Sequence, residues 1–147
     1  MPRLTDLTLN NKLKPVKAKK NVLIVTDGSS EVTGMAAEIA AALKGNKVLT
    51  KAASEFMGND ILPADVFFLG CEKPAPGSFA YLADMLKHVN LVGRPCGVFS
   101  PGSEKAVRYL AGLVKDCEAA LNPEPLFPCA ALDVEKWAQN VLTRSFN

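Results

Sequence analysis

The chain has 147 residues, 48% of them hydrophobic, and a formal net charge of +2 at pH 7. This length suits one domain and this composition suits a packed core. No apolar run approaches the roughly 20 residues that a membrane-spanning helix needs, and the first residues lack the apolar stretch of a secretory signal. These features predict a soluble, cytoplasmic protein without a membrane segment.

Charge is distributed unevenly along the chain. Residues 1–20 hold six basic side chains and one acidic side chain, a net charge of +5, whereas the rest of the chain is mildly acidic. The first 20 residues also lack a sustained apolar period. We therefore expect a basic, mostly disordered arm that is not needed for folding, followed by one domain over residues 21–147. Weak contact of this arm with nucleic acid or an acidic partner is the less favoured alternative.

The first predicted elements are a strand over Val22–Thr26, a helix over about Thr33–Lys44 and a strand over Lys47–Ala52. Residues 53–63 look irregular, with room for one helical turn. Apolar runs and helical periodicities continue the alternation to the end of the chain. The remaining predicted strands are Val66–Gly70, Pro95–Phe99 and Leu126–Leu132, and the remaining predicted helices are Phe79–Val89, Glu104–Leu121 and Asp133–Leu142.

This alternation of strands and helices predicts a three-layer α/β/α domain with a five-stranded parallel sheet. Pro128 cannot donate a hydrogen bond to a strand ladder, so it favours an edge position for the last strand. An edge position agrees with the strand order 2-1-3-4-5, in which the loops after strands 1, 3 and 4 meet at one edge of the sheet.

The loop after the first strand is rich in glycine and hydroxyl side chains and leads into a predicted helix. Backbone N–H groups at a helix N-terminus favour an anion such as phosphate. An ordinary strand–helix turn, in which Ser29, Ser30 or Thr33 caps the helix, is the other interpretation. Local sequence alone leaves both open.

Four cysteines are present, and their spacing does not favour a zinc site. They form no C-x-x-C motif, and the single histidine, His88, is distant from them in sequence. Cys96, Cys117 and Cys129 fall within apolar patterns, whereas Cys71 ends a strand and begins a loop. A lowered pKa would make Cys71 a redox-sensitive thiol, and a buried inert thiol is the alternative.

Several segments of the chain together resemble the flavodoxin family. The hydroxyl-rich loop resembles its phosphate loop, and the resemblance extends from about Asn21 to Phe146. Ala64–Cys71 resembles the family's third strand, and Val92–Phe99 resembles its fourth strand, with the pattern L-x-G-[KR]-x-x-x-x-F. Ser100–Ser103, with Ala106 and Val107, resembles the second flavin loop of flavodiiron-type proteins. Asp133–Ala138 resembles the closing helix.

The resemblance implies a flavodoxin-like fold, bound flavin mononucleotide (FMN) and one-electron transfer to a redox partner protein. It implies an electron carrier rather than a stand-alone enzyme with a catalytic side chain. FMN would cross three loops, with its phosphate at the first and its ring between the other two. The residues implied to contact it are Asp27, Gly28, Ser29, Ser30, Glu31, Val32, Thr33, Gly34, Cys71, Glu72, Lys73, Pro74, Ala75, Pro76, Gly77, Ser100, Pro101, Gly102 and Ser103.

Two features depart from the family pattern. The usual phosphate loop reads [ST]-x-T-G-x-T, and with Thr33 as its last residue the glycine is replaced by Glu31; a shifted alignment uses Thr33 and Gly34 as the T-G pair. Neither later loop contains an aromatic residue to stack on the flavin, and Phe79 and Tyr81 are the nearest substitutes. A flavodoxin-like domain that has lost FMN and serves as a binding or interaction module is therefore the alternative function.

Overall fold

The computed structural model describes residues 19–126 and 133–143. The strands are β1 (Asn21–Thr26), β2 (Lys47–Ala52), β3 (Val66–Gly70), β4 (Pro95–Phe99) and β5 (Ala120–Leu121), and the α-helices are α1 (Ser30–Ala42), α2 (Gly58–Ile61), α3 (Ala80–Leu86), α4 (Glu104–Cys117) and α5 (Val134–Thr143). Two short 3-10 turns, Ala53–Glu55 and Gly77–Phe79, precede α2 and α3.

The five strands form one parallel sheet in the order β2-β1-β3-β4-β5. The predicted α/β fold class and the predicted strand order are both confirmed. β3 is buried along its whole length, because helices cover both faces of the sheet at its centre.

Alternate residues of the central strands build two separate cores. Leu23 and Phe67 belong to the core beneath α3 and α4, whereas Ile24 and Phe68 belong to the core beneath α1 and α5. The period-2 alternation of side chains along each strand divides them between the two faces. Trp137 of α5 closes the second core, where its ring lies 5.6 Å from that of Phe68 and its Nε1 donates to the carbonyl of Glu124.

The sheet gains its fifth strand earlier in the chain than the predicted strand Leu126–Leu132. The fifth strand is Ala120–Leu121, which pairs with Pro95 and Cys96 of β4, and Leu126 makes only an isolated bridge to Phe99. The predicted helix before it was too long, because α4 ends at Cys117 and Glu118 adopts a left-handed conformation with φ of 62°. Pro128 and the remainder of the predicted strand, residues 127–132, lie outside the described residues.

The predicted bounds of three other helices also need correction. α1 begins at Ser30 rather than Thr33, and α3 spans only Ala80–Leu86 within the predicted Phe79–Val89. The last helix runs to Thr143, and the predicted cap before it is present, since the Asp133 carboxylate accepts the Glu135 N–H at 2.9 Å.

Candidate functional site

The ends of three neighbouring strands bring three loops together at one edge of the sheet. Thr26 ends β1 and is the register partner of Gly70, which ends β3, and Gly70 is the register partner of Phe99, which ends β4. The loops that start at residues 27, 71 and 100 therefore lie side by side. The sequence-based prediction placed these loops at this edge.

The first loop is shorter than predicted. It spans only Asp27, Gly28 and Ser29, because α1 already begins at Ser30. Gly28 has a φ of +85°, a conformation that other residues rarely adopt. Glu31, Val32, Thr33 and Gly34 therefore belong to the first two turns of α1 rather than to the loop.

The Asp27 carboxylate occupies the centre of the first loop. Its Oδ1 accepts the backbone N–H of Ser29 at 3.0 Å and the Ser29 hydroxyl at 2.8 Å, and its Oδ2 accepts the backbone N–H of Glu72 at 2.8 Å. The carboxylate thus joins the first loop to the second. Because the Ser29 hydroxyl donates to Asp27, this N-cap residue makes no side-chain hydrogen bond to α1.

Unpaired donors remain at the start of α1. In the described part of the chain, the backbone N–H groups of Ser30, Glu31 and Val32 have no acceptor, and the first helical bond runs from the Thr33 N–H to the Ser29 carbonyl. Three N–H groups at the start of a 13-residue helix form a positive end suited to an anion. The Glu31 side chain is exposed on the same turn, whereas Val32 is buried in the core.

The second loop offers no free aromatic ring. Phe79 is fully buried, and its ring lies 6.3 Å from that of Tyr109 on α4. Tyr81 is 52% exposed and lies 6.0 Å from Phe56, a contact on the flank of the domain. Phe79 is therefore a core residue and does not present its ring to the loops. Lys73, Pro74, Ala75 and Gly77 are the exposed residues of this loop, and Pro76 is half-buried.

The third loop caps α4. The buried Ser100 hydroxyl accepts the Ser103 N–H at 3.3 Å, and the Ser103 hydroxyl accepts the Ala106 N–H at 3.0 Å. Ser103 is thus the N-cap of α4. Both serine oxygens already hold backbone donors, so Pro101 and Gly102 form the outer part of this loop.

Tyr109 is a residue of this region that sequence reasoning missed. It is half-buried, and burial together with the neighbouring Cys71 raises the pKa of its phenol. Its place within the amphipathic pattern of α4 indicates only packing. Tyr109 lies near Cys71, 38 positions earlier in the sequence, only because the fold brings the two residues together.

Cys71 is the buried inert thiol of the two alternatives. Burial, with a smaller contribution from the Asp27 charge, raises the pKa of the Cys71 thiol to about 12. A thiolate is the reactive form of cysteine, so a redox-sensing role for Cys71 is not supported. The described residues contain no cluster of histidine, cysteine and acidic side chains that could bind a metal ion.

We predict slow alkylation of Cys71. At pH 8 iodoacetamide should modify it at least about a hundredfold more slowly in the native chain than in urea, because the raised pKa leaves little thiolate. Mass spectrometry of the Cys71 peptide measures both rates and separates it from the other cysteines. Equal rates would mean that the loop opens readily.

Comparison with solved structures identifies the fold. A flavodoxin from Streptococcus pneumoniae TIGR4 superimposes with a TM-score of 0.70 and 18% identity, covering 83% of this chain and 97% of that one. Oxidised Flavodoxin 2 from Bacillus cereus gives a TM-score of 0.66 and 24% identity, covering 85% and 96%. The chain has the flavodoxin-like fold.

A third flavodoxin-like neighbour was solved with the cofactor. A flavodoxin variant from Fusobacterium nucleatum, bound to FMN, matches with a TM-score of 0.60 and 17% identity over 71% of this chain and 68% of that one. No protein-family model and no curated protein matches the chain. None of the helices in the described residues is long and apolar enough to cross a membrane.

Proposed function

We propose that this flavodoxin-like domain binds FMN and transfers electrons to a partner protein. The observation that carries the proposal is the meeting of three loops at the carboxyl edge of β1, β3 and β4, beside the unpaired N–H groups of α1. In doubly wound sheets this edge is the ligand site. A flavodoxin with a similar fold that was solved bound to FMN supports the choice of cofactor.

The described residues fit the phosphate end of FMN better than its ring. The phosphate would accept the N–H groups of Ser30, Glu31 and Val32, with the exposed Ser30 hydroxyl as a further donor. The ring would lie between the second and third loops against Pro74 and Pro101, without an aromatic partner.

When bound, FMN supplies the electron-transfer chemistry, and the protein supplies binding, orientation and electrostatics. The two later loops would hold the ring and limit its contact with water. Without an aromatic residue to stack on the ring, the binding free energy should lack a contribution of roughly 0.5–1.5 kcal/mol. The affinity should therefore depend mainly on the phosphate end.

A module that binds a partner without FMN is the second candidate. Two observations favour it. The Asp27 carboxylate already accepts three donors that face the loop region, and Phe79, the nearest aromatic to the second loop, is buried in the core. The first observation leaves fewer hydrogen-bond donors for a flavin phosphate, and the second means that the nearest aromatic side chain to the second loop does not stack on the flavin ring.

Titration with FMN separates the two candidates. Binding should quench flavin fluorescence, shift the visible flavin spectrum and saturate at one FMN per chain. The same mixture should then accept electrons reversibly when a chemical reductant is added under anaerobic conditions. No quenching at millimolar FMN would refute the electron-transfer proposal and favour the interaction module.

Glu31 should weaken FMN binding, because its charge lies on the turn that would hold the phosphate. Two unit charges 4 Å apart repel by roughly 1 kcal/mol even in water, so Glu31→Gln should tighten FMN binding about fivefold at low salt. Glu38→Gln is the matched control, since Glu38 is also exposed on α1 but two turns further along. An equal gain in both variants would show that only net charge matters.

A further inference from the structure

An apolar surface surrounds the segment that links β2 to β3. The exposed large apolar side chains include Met57 and Leu62, which are 58% and 57% exposed, and Leu49 of β2, which is 43% exposed. Tyr81 borders the same segment, because its hydroxyl lies 3.7 Å from the Cβ position of Gly58. α2 is only four residues long, so little helix covers this corner of the sheet.

This surface is held in place by polar contacts. The Arg94 guanidinium donates to the carbonyls of Ile61, Leu62 and Ala64 at 2.9–3.0 Å. The Asp60 carboxylate accepts the Met57 N–H at 2.9 Å and pairs with Lys51 at 3.2 Å. The apolar side chains are therefore displayed from an anchored segment.

A groove of about 450 Å³ continues the surface along the outer edge of the sheet. Its apolar lining includes Leu23, Val48, Leu49 and Pro63. β2 is the edge strand here, and among the described residues it pairs only with β1. The Lys47 N–H donates inward to the Lys20 carbonyl, so by alternation the N–H groups of Val48 and Thr50 point outward, where no described strand pairs with them.

A second copy of the chain fits this edge poorly. In a two-fold antiparallel pairing centred on Leu49, Lys47 of each copy would lie opposite Lys51 of the other. Like charges directly opposite each other destabilise a strand pair, and lysines on an edge strand discourage self-association.

The chain's own N-terminal segment is long enough to reach this edge. Eighteen residues precede Lys19, and the Lys20 N–H donates to the side chain of Asn46 just before β2. The outer side of β2 lies about 10 Å from β1, two strand spacings away. Residues 14–19 span up to about 20 Å when extended, and Pro15 suits such a crossing better than a paired strand.

The sequence of residues 6–13 suits an edge strand. Leu7, Leu9 and Leu13 occupy odd positions, where Asn11 is the one polar residue, and every even position of this segment is polar: Asp6, Thr8, Asn10 and Lys12. Residues 6–10 therefore have the strict alternation of a half-buried strand. It is too short to stand out from the sequence alone, and it becomes informative beside an open edge with an apolar groove.

We propose that residues 6–13 add to the open edge of β2 as an antiparallel strand, with Leu7 and Leu9 over the groove beside Leu49. This arrangement is a sixth strand supplied by the chain itself rather than the free basic arm that charge alone suggests. Both cores named above are built from residues of the described part of the chain, so we expect the added strand to cover the edge rather than to form a core.

Amide hydrogen exchange of the full chain, measured by NMR, tests the proposal. The outward amides of Val48 and Thr50 should be protected, and Leu7→Asp/Leu9→Asp should accelerate their exchange at least about tenfold, while amides of β3 keep their rates. Thr8→Asp/Asn10→Asp is the matched control, because it adds the same charge to the polar face and should leave Val48 and Thr50 protected.

Two results would overturn the proposal. One is equal exchange of the Val48 and Thr50 amides in the wild type and in the Leu7→Asp/Leu9→Asp variant. The other is protection that rises with protein concentration together with a doubled mass by light scattering, which would mean that a second copy covers the edge.

Discussion

Replacing Asp27 with asparagine should tighten FMN binding by about thirtyfold. The Asp27 carboxylate accepts the N–H groups of Ser29 and Glu72 and the Ser29 hydroxyl. In the Asp27→Asn variant the side-chain carbonyl can still accept from Ser29, but the side-chain amide would release the Glu72 N–H and would itself be a donor. Removing the charge and freeing one donor should each contribute about 1 kcal/mol toward a phosphate.

Asp65→Asn is the matched control for this measurement. Asp65 also accepts a backbone N–H, from Asn21 at 2.9 Å, but at the opposite edge of the sheet. The variant changes net charge equally and should leave the FMN dissociation constant unchanged. Weaker binding by Asp27→Asn would mean that the carboxylate holds the two loops in the binding shape, and no binding by any variant would favour the interaction module.

Local sequence predicted the central sheet well and the first loop poorly. β3 is buried on both faces, so its run from Val66 to Gly70 has no polar interruption and its bounds are confirmed. The start of α1 was placed three residues late, because serines fit both a loop and a helical first turn. Once Ser29 donates to Asp27, the helix begins directly after it.

The contacts that decide the site join residues distant in sequence. The hydrogen bond from the Glu72 N–H to Asp27 spans 45 positions, and nothing near either residue indicates it. Ala120 and Leu121 were predicted as the end of a helix for a related reason. Ala119, Ala120 and Leu121 continue the apolar pattern of α4, yet pairing with β4 makes Ala120 and Leu121 a strand. Pairing with a neighbouring strand overrides local preference here.

Gly70→Ala should destabilise the domain by about 3 kcal/mol. Gly70 is the last residue of β3, directly before the second loop, and it is the register partner of Phe99 on β4. A Cβ at this position would overlap the ring of Phe99. Phe99 is fully buried in the core beneath α1 and α5, so its ring has little space into which it can move. Forcing extra atoms into a packed core typically costs about 1–3 kcal/mol, and more where the neighbour is rigid.

Urea unfolding followed by tryptophan fluorescence measures this effect, since Trp137 packs in the same core as Phe99. Gly112→Ala is the control, because Gly112 lies in α4 with no atom within 4 Å of its Cβ position, and it should stabilise the helix by up to about 1 kcal/mol. In Gly70→Ala/Phe99→Leu the smaller side chain should relieve the overlap, so the double variant should lose less stability than the two single losses combined. Additive losses would show that Phe99 is not the group that excludes a side chain from position 70.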